Sequence, residues 1–231
     1  MIKIGIDVGS TTVKLVAIDE NDNLLFSKYE RHNAKAKETI LSFLKELLSE
    51  IGDKDISLRI TGSIGMGISE KCSLPFVQEV VAAAKAIQKD YSHVTSMIDI
   101  GGEDAKVVFF KDGEATDLRM NGNCAGGTGA FIDQMSIILG VNIDELNHLA
   151  MNAKQVYPIA SCCGVFCKTD IQNLIAKNVS RENIAASIFR AVAVQTVVTL
   201  AHGCDITTPV LFCGGPLTFI LALRKAFIDY L

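Results

Sequence analysis

Apolar and polar residues alternate near the start of the chain, and a short polar turn interrupts the alternation once. The segment IKIGIDVGSTTVKLVAID (residues 2–19) is typical of two strands joined by a tight hairpin. The segment SMIDIGGEDAKVVFFKDG (96–113) repeats it, with a buried strand ending at Asp99, a glycine turn and a second strand. The repetition predicts two related subdomains.

Apolar residues at helical spacing predict helices in both halves of the chain. The predicted helices cover 38–51, 77–89, 129–139, 143–151, 170–177 and 181–202, with strands at 57–63 and 209–215 and a last helix beginning near 216. Thr169 and Gln172 have the spacing of a capping box, so we expect a helix to start there. This alternation of strands and helices predicts an α/β fold whose subdomains, 1–92 and 93–231, enclose a cleft.

Composition narrows the possible partners. The 231 residues are 49% hydrophobic and carry a net charge of -4, without a basic stripe, so we expect neither nucleic acid nor membrane as a partner. We find no cationic segment followed by an apolar stretch at Met1, so we expect a cytoplasmic protein rather than a secreted one. The seven cysteines therefore indicate metal or redox chemistry rather than disulfides.

Three turns have the composition of a nucleotide site. An aspartate beside a Gly/Ser/Thr hairpin surrounds a phosphate with N–H groups and hydroxyls, while the carboxylate holds a metal through water. The residues concerned are Asp7, Gly9, Ser10, Thr11 and Thr12 in the first turn, Asp99, Gly101 and Gly102 in the second, and Gly214 and Gly215 after a late strand, where the backbone can approach an adenosine. Each turn alone is commonly structural, but the three in this order favour ATP binding.

These motifs carry a family resemblance. GIDVGSTTVK, DIGGEDAK and LFCGGP resemble the first phosphate, second phosphate and adenosine motifs of the acetate and sugar kinase/Hsp70/actin superfamily. MNGNCAGGTGAFIDQM and CGVFCKTDIQ resemble the activators of 2-hydroxyacyl-CoA dehydratases and benzoyl-CoA reductases. The resemblance covers essentially the whole chain.

The resemblance implies two ribonuclease-H-like subdomains with an ATP-binding cleft, as in actin-like ATPases. It also implies a Mg²⁺-dependent ATPase whose homodimer shares one 4Fe–4S cluster. Such a protein takes an electron from a donor such as ferredoxin or flavodoxin and passes it, at low potential, to a CoA-ester dehydratase or reductase.

The same resemblance assigns individual residues. It places the cluster ligands on Cys124 and Cys163, but not on Cys162 or Cys167, where family members need not have cysteine. We expect catalytic roles for Asp7, Asp99 and Glu103, and we count Lys14, Gly126, Gly127 and Thr128 among the cofactor-binding residues. Glu103 replaces a glutamine usual in simple activators. Together with SKYERH (27–32), this looks more like the first activase module of longer chains, whose second module offers a pseudo-dimer instead of a homodimer.

Elementary chemistry supports the cysteine assignment. Cys124 and Cys163 each precede a predicted helix, and helix N-termini favour thiolates and anionic clusters. A cubane cluster takes four thiolates, so two per chain require a two-fold partner.

Several alternatives remain open from the residues alone. A zinc site could use the four clustered cysteines, although no paired C-x-x-C spacing supports it. The isolated Cys72, Cys204 and Cys213 are expected to be buried free thiols, and the four histidines to lie at helix ends or on the surface. Lys14 is either a phosphate contact or a solvated charge. The competing functions are a small-molecule kinase of the same superfamily and a non-enzymatic ATP-dependent switch, neither of which needs the cysteine loops.

Overall fold

The computed structural model describes residues 1–112, 114–121, 124–161 and 163–231. Within them the chain divides into two compact units, Met1–Lys89 and Asp90–Leu231. Each unit is built from one sheet and several helices.

The first unit holds a four-stranded sheet in the order β3-β2-β1-β4. The first three strands are antiparallel, and β4 returns parallel to β1. Its elements are β1 (Ile2–Val8), β2 (Thr12–Ile18), β3 (Leu24–Arg31), α1 (Ala36–Ile51), β4 (Ile56–Thr61), α2 (Gly65–Cys72) and α3 (Glu79–Asp90). Alternate residues of β1 are buried, and α1 buries one face against the sheet through Ile40, Phe43, Leu47 and Ile51.

The second unit repeats this strand order as β7-β6-β5-β8. Again three strands are antiparallel, and the fourth runs parallel to the first strand of its unit. Its elements are β5 (Ser96–Ile100), β6 (Ala105–Lys111), β7 (Glu114–Met120), α4 (Gly129–Leu139), α5 (Ile143–Met151), α6 (Gly164–Ala176), α7 (Arg181–Leu200), β8 (Val210–Cys213), α8 (Gly215–Phe219) and α9 (Leu221–Ile228).

The repeated sequence motif corresponds to a repeated register. Asp7 on β1 lies opposite Lys14 on β2, and Asp99 on β5 lies opposite Lys106 on β6. The prediction of two related strand motifs is therefore confirmed.

Helix α7 forms the centre of the second core. An 18-residue stretch of this 20-residue helix has a mean hydropathy of 1.4, enough by length and composition to cross a membrane. However, 56% of that stretch is buried within the protein, and Phe189 and Val192 are inaccessible to solvent. Packing against neighbouring elements of the unit accounts for its apolar character.

The predicted start of α6 is wrong. The helix begins at Gly164, not at Thr169, and Cys163 is its N-cap residue. Thr169 lies inside the helix, where its hydroxyl donates to the carbonyl oxygen of Val165, so it caps nothing. Asp170 accepts a 2.8 Å hydrogen bond from the amide of Ala160, which ties the preceding loop to the helix.

Candidate functional site

The turn between β1 and β2 is closed by a hydrogen bond of 3.0 Å from the amide of Gly9 to the carbonyl oxygen of Thr12. Ser10 and Thr11 lie between these two residues. The turn therefore presents the amides and hydroxyls of a short polar loop directly after the strand that carries Asp7.

The carboxylate of Asp7 has two different environments. One oxygen, Oδ2, lies 2.6 Å from Nζ of Lys14, so this lysine is ion-paired. The other, Oδ1, is buried without a hydrogen-bond partner among the described residues. A buried acceptor without a hydrogen-bond partner is energetically costly. This oxygen is therefore suited to accept a hydrogen bond from a water molecule bound to a cation.

The turn between β5 and β6 has the same closure. The amide of Gly101 donates to the carbonyl oxygen of Asp104 at 2.8 Å, next to the strand that carries Asp99. Glu103 projects from this turn and is exposed. The sequence-based roles of Asp99, Gly102 and Glu103 stay predictions.

Sequence reasoning missed Lys106. It is 6% exposed, its Nζ lies 2.7 Å from the carboxylate of Asp104, and it occupies the ladder position opposite Asp99. The signal was present, because Lys106 follows Asp99 at the spacing at which Lys14 follows Asp7.

The glycine-rich loop Gly126–Thr128 packs against α7. A methyl group on Gly126 would lie 2.5 Å from the side chain of Gln195. Thr128 is fully buried as the N-cap residue of α4, and its hydroxyl donates to the carbonyl oxygen of Ala125. These contacts give the loop a structural role, and its part in binding a cofactor stays a prediction.

Gly214 and Gly62 occupy equivalent places behind the two aspartates. A methyl group on Gly62 would lie 2.6 Å from Oδ1 of Asp7, and one on Gly214 would lie 2.5 Å from Oδ1 of Asp99. Gly214 therefore allows close packing against the end of β5. Its predicted contact with adenosine, and that of Gly215 at the start of α8, stay untested.

Cys124 is an exposed thiol on the loop that leads into α4. Its sulfur lies 3.4 Å from the amide nitrogen of Gly126, which donates to it, and its carbonyl oxygen accepts a 2.8 Å hydrogen bond from the side chain of Asn121. A sulfur that accepts a backbone N–H bond at an exposed position suits a metal-binding thiolate.

The surroundings of Cys163 favour a thiolate. The amides of Phe166 and Val165, in the first turn of α6, donate to its sulfur and lower the pKa of the thiol below its usual value. Cys163 is only partly shielded from solvent. The loop before α6 therefore presents a sulfur that is readily deprotonated.

Cys167 differs from Cys163 although it lies one helical turn away. It is 1% exposed, and burial, with a smaller effect of Asp170, raises the pKa of its thiol to about 12. Burial likewise raises the pKa of Cys213 to about 11. Cys167 therefore behaves as a core residue.

Of the three cysteines expected to be buried, Cys72 is exposed, while Cys204 and Cys213 are intermediate, so the expectation is wrong for Cys72. Cys162 lies outside the described residues.

The helices that follow the two cysteine loops are in contact at their first turns. A methyl group on Gly164 would lie 3.4 Å from the ring of Phe131 in α4. Within the part of the chain that the structure describes, no three His, Cys, Asp or Glu side chains are grouped to hold one metal ion.

Known proteins resemble the chain over nearly its whole length. It matches the model of the BadF/BadG/BcrA/BcrD ATPase family over residues 4–231. It is 28% identical over 214 residues to the (R)-2-hydroxyglutaryl-CoA dehydratase activating ATPase of Acidaminococcus fermentans. This alignment covers 92% of this chain and 82% of that protein.

Two crystal structures superimpose closely. Component A of the Acidaminococcus fermentans dehydratase has a TM-score of 0.89 at 27% identity and covers 100% of this chain and 88% of that one. The activator of 2-hydroxyisocaproyl-CoA dehydratase from Clostridium difficile, with bound ADPNP, has a TM-score of 0.86 at 27% identity. The match covers 99% of this chain and 85% of that one. The α/β fold is that of the actin-like ATPases, as the sequence predicts, and the chain belongs to the BadF/BadG/BcrA/BcrD ATPase family.

Proposed function

We propose that this protein is a cytoplasmic, ATP-hydrolysing activator that passes a low-potential electron to a CoA-ester dehydratase or reductase. The electron comes from a 4Fe–4S cluster shared by two activase units. Similarity to two dehydratase activators, one of them solved with ADPNP, supports the ATP-dependent part of this role.

The two aspartate turns are the proposed contacts of Mg-ATP. In the first unit, the amides of the β1–β2 turn would bind phosphate oxygens, and the unpartnered Oδ1 of Asp7 would help to hold hydrated Mg²⁺. In the second unit, the β5–β6 turn and Asp99 have the corresponding role. Glu103 orients the attacking water, consistent with its exposed position in that turn.

The observation that carries the cluster proposal is the contrast among the cysteines. Cys124 and Cys163 are accessible, and both sulfurs accept backbone N–H bonds, whereas the pKa of Cys167 is raised to about 12. Iron–sulfur clusters bind thiolates, so the donor set fits this group at the first two positions. The 3.4 Å between a methyl group built on Gly164 and the ring of Phe131 supports placing both ligands on one side of the unit.

A shared cluster requires a second unit. Two thiolates per chain supply half of a four-thiolate site, and an isologous dimer or a second activase module supplies the rest. Val165 and Phe166, next to Cys163, are 71% and 67% exposed, as is common at protein interfaces. When bound, the cluster would supply a one-electron carrier, reduced by a ferredoxin or flavodoxin and oxidised by the acceptor enzyme.

Anaerobic reconstitution tests this function. We expect four irons and four sulfides per dimer in the parent, and loss of the cluster in Cys124→Ser and in Cys163→Ser. Cys167→Ser and Cys162→Ser should retain it, and Cys204→Ser is the matched control outside the two loops. Stoichiometric zinc in a monomer, or equal dependence on all four clustered cysteines, would contradict the proposal.

A further inference from the structure

His32 is buried beside the turn of the first unit. It directly follows β3, is 5% exposed, and its Nε2 lies 3.2 Å from the carbonyl oxygen of Gly9. Its own amide donates to the carbonyl oxygen of Thr11 at 3.1 Å. The expectation of a surface or helix-end position is therefore wrong for this histidine, which contacts the β1–β2 turn twice.

The contact with Gly9 defines which ring nitrogen carries the proton. A carbonyl oxygen only accepts hydrogen bonds, so Nε2 of His32 is the donor. The other nitrogen, Nδ1, is buried and has no hydrogen-bond partner among the described residues. In the neutral ring, the single N–H group therefore donates to the carbonyl oxygen of Gly9 in the turn.

Holding this carbonyl also orients the next amide. In a planar trans peptide the C=O of Gly9 and the N–H of Ser10 point in opposite directions. With the oxygen directed at His32, the amide of Ser10 is directed away from the imidazole. Within the described residues the amide of Ser10 has no acceptor, whereas the amide of Gly9 donates to the carbonyl oxygen of Thr12.

The second unit holds the equivalent carbonyl with a different group. The oxygen of Gly101 occupies the place of the Gly9 oxygen in a turn with the same closure, and it accepts a 2.9 Å hydrogen bond from the amide of Gly129. In both turns, a donor from another element thus fixes the first glycine carbonyl. A side chain does so in the first unit, and a helix backbone does so in the second.

We propose that His32 is a positioning residue for nucleotide binding. Through the carbonyl of Gly9 it sets the orientation of the Gly9–Ser10 peptide and presents the amide of Ser10 to a phosphate oxygen of ATP. The inference rests on the proposed role of this turn in ATP binding.

Replacing His32 with glutamine or with asparagine distinguishes a positioning role from simple space filling. The side-chain nitrogen of glutamine superimposes on Nε2 of histidine, whereas that of asparagine reaches only the position of Nδ1. We expect His32→Asn and His32→Phe to raise the Kd for Mg-ADPNP about fivefold, the worth of one hydrogen bond. His32→Gln should stay within about twofold of the parent.

The controls use the same 231-residue protein. His93→Asn, at an exposed histidine, should bind Mg-ADPNP like the parent. Thermal unfolding without nucleotide reports the structural effect of each variant separately. Nitrogen-15 chemical shifts of the parent should show the Nε2–H tautomer at His32.

The outcomes are distinguishable. Weaker binding in the asparagine and phenylalanine variants, with rescue by glutamine, supports the inference. Binding equal to the parent in all three, a loss shared by glutamine, or an Nδ1–H tautomer overturns it while leaving ATP binding intact. A parent that binds no Mg-ADPNP overturns both this inference and the proposed role of the turn.

Discussion

The amide of Gly129 donates a 2.9 Å hydrogen bond to the carbonyl oxygen of Gly101, so helix α4 begins on the β5–β6 turn. The next amide, of Ala130, donates to Gly102 at 2.7 Å. These N–H groups are therefore not free to donate to an anionic cluster. The sequence analysis had expected the N-terminus of the helix after Cys124 to favour such a cluster. Instead, the two N–H groups couple the proposed phosphate turn to the helix that follows that cysteine.

Adding a methyl group at Gly129 should disturb this junction. The new carbon would lie 3.1 Å from the oxygen of Gly101 and 3.3 Å from the ring of Pro216. We expect Gly129→Ala to lower the free energy of unfolding by about 1–2 kcal/mol and to weaken Mg-ADPNP binding. Gly67→Ala is the control, because nothing lies within 4 Å of the new carbon in the interior of α2. It should stabilise by about 0.5–1 kcal/mol in urea titrations, and equal effects of the two changes would argue against a crowded junction.

Removing the charge of either aspartate should impair hydrolysis more than folding. Asp7→Asn and Asp99→Asn keep the shape of the side chain but weaken the proposed metal contact, so we expect kcat to fall at least about tenfold. Phosphate release with saturating Mg-ATP measures the effect, and urea unfolding measures stability. Asp53→Asn, at an exposed position outside both turns, is the control. Unchanged turnover in both variants would remove the aspartates from the mechanism.

Glu103→Ala should separate hydrolysis from binding. The carboxylate is exposed in the β5–β6 turn and is proposed to orient water, so we expect loss of turnover with a Kd for Mg-ADPNP close to that of the parent. Glu70→Ala, an exposed glutamate on α2, should change neither quantity. Normal hydrolysis in Glu103→Ala would eliminate this role.

Cys163, the N-cap residue of α6, and Cys167, inside the helix, should differ in reactivity. Because backbone N–H groups lower the pKa of Cys163 while burial raises that of Cys167 to about 12, iodoacetamide at pH 8 should modify Cys163 first. Peptide mass spectrometry over time reports both sites. In denaturing urea the two rates should become equal, and faster labelling of Cys167 in the folded protein would contradict the assigned environments.

Stability should decline at high pH through Cys167. Between the ordinary thiol pKa of 9.0 and the folded value of about 12, the unfolded thiol ionises while the folded one stays protonated. The unfolded state then binds fewer protons, so the free energy of unfolding falls as pH rises through this window. Cys167→Ala should show a shallower fall than the parent in urea titrations at several pH values. Parallel curves for the two proteins would mean that the thiol does not contribute.

The sequence predicted the fold best where hydrophobic residues are periodic. Strand β1 and helix α1 follow from alternating and helical patterns, and the repeated strand–turn–strand pattern predicted the paired units. Strands β3 and β7 escaped prediction because they lie at sheet edges and most of their residues are exposed. Helix α2 escaped because Gly65 and Gly67 weaken its helical propensity.

Prediction of the candidate site failed where tertiary contacts decide. Nothing local indicates that His32 reaches Gly9, since the two residues meet only when β3 pairs with β2. The capping pattern at Thr169 was misleading because the helix already begins at Gly164, and the Thr169 hydroxyl donates to the carbonyl oxygen of Val165 within it.

The glycines behind the two aspartates have a consequence for the entropy of ligand binding. At Gly62, with φ of 96°, and at Gly214, with φ of 85°, even a methyl group would collide with a carboxylate oxygen, so the side chain of Asp7 or Asp99 is confined on that side. A carboxylate that is already confined loses little rotational freedom when a cation arrives. The cost of ordering each acid is thus met during folding, and the proposed contact with a nucleotide-bound cation would carry a smaller entropic cost at both aspartates.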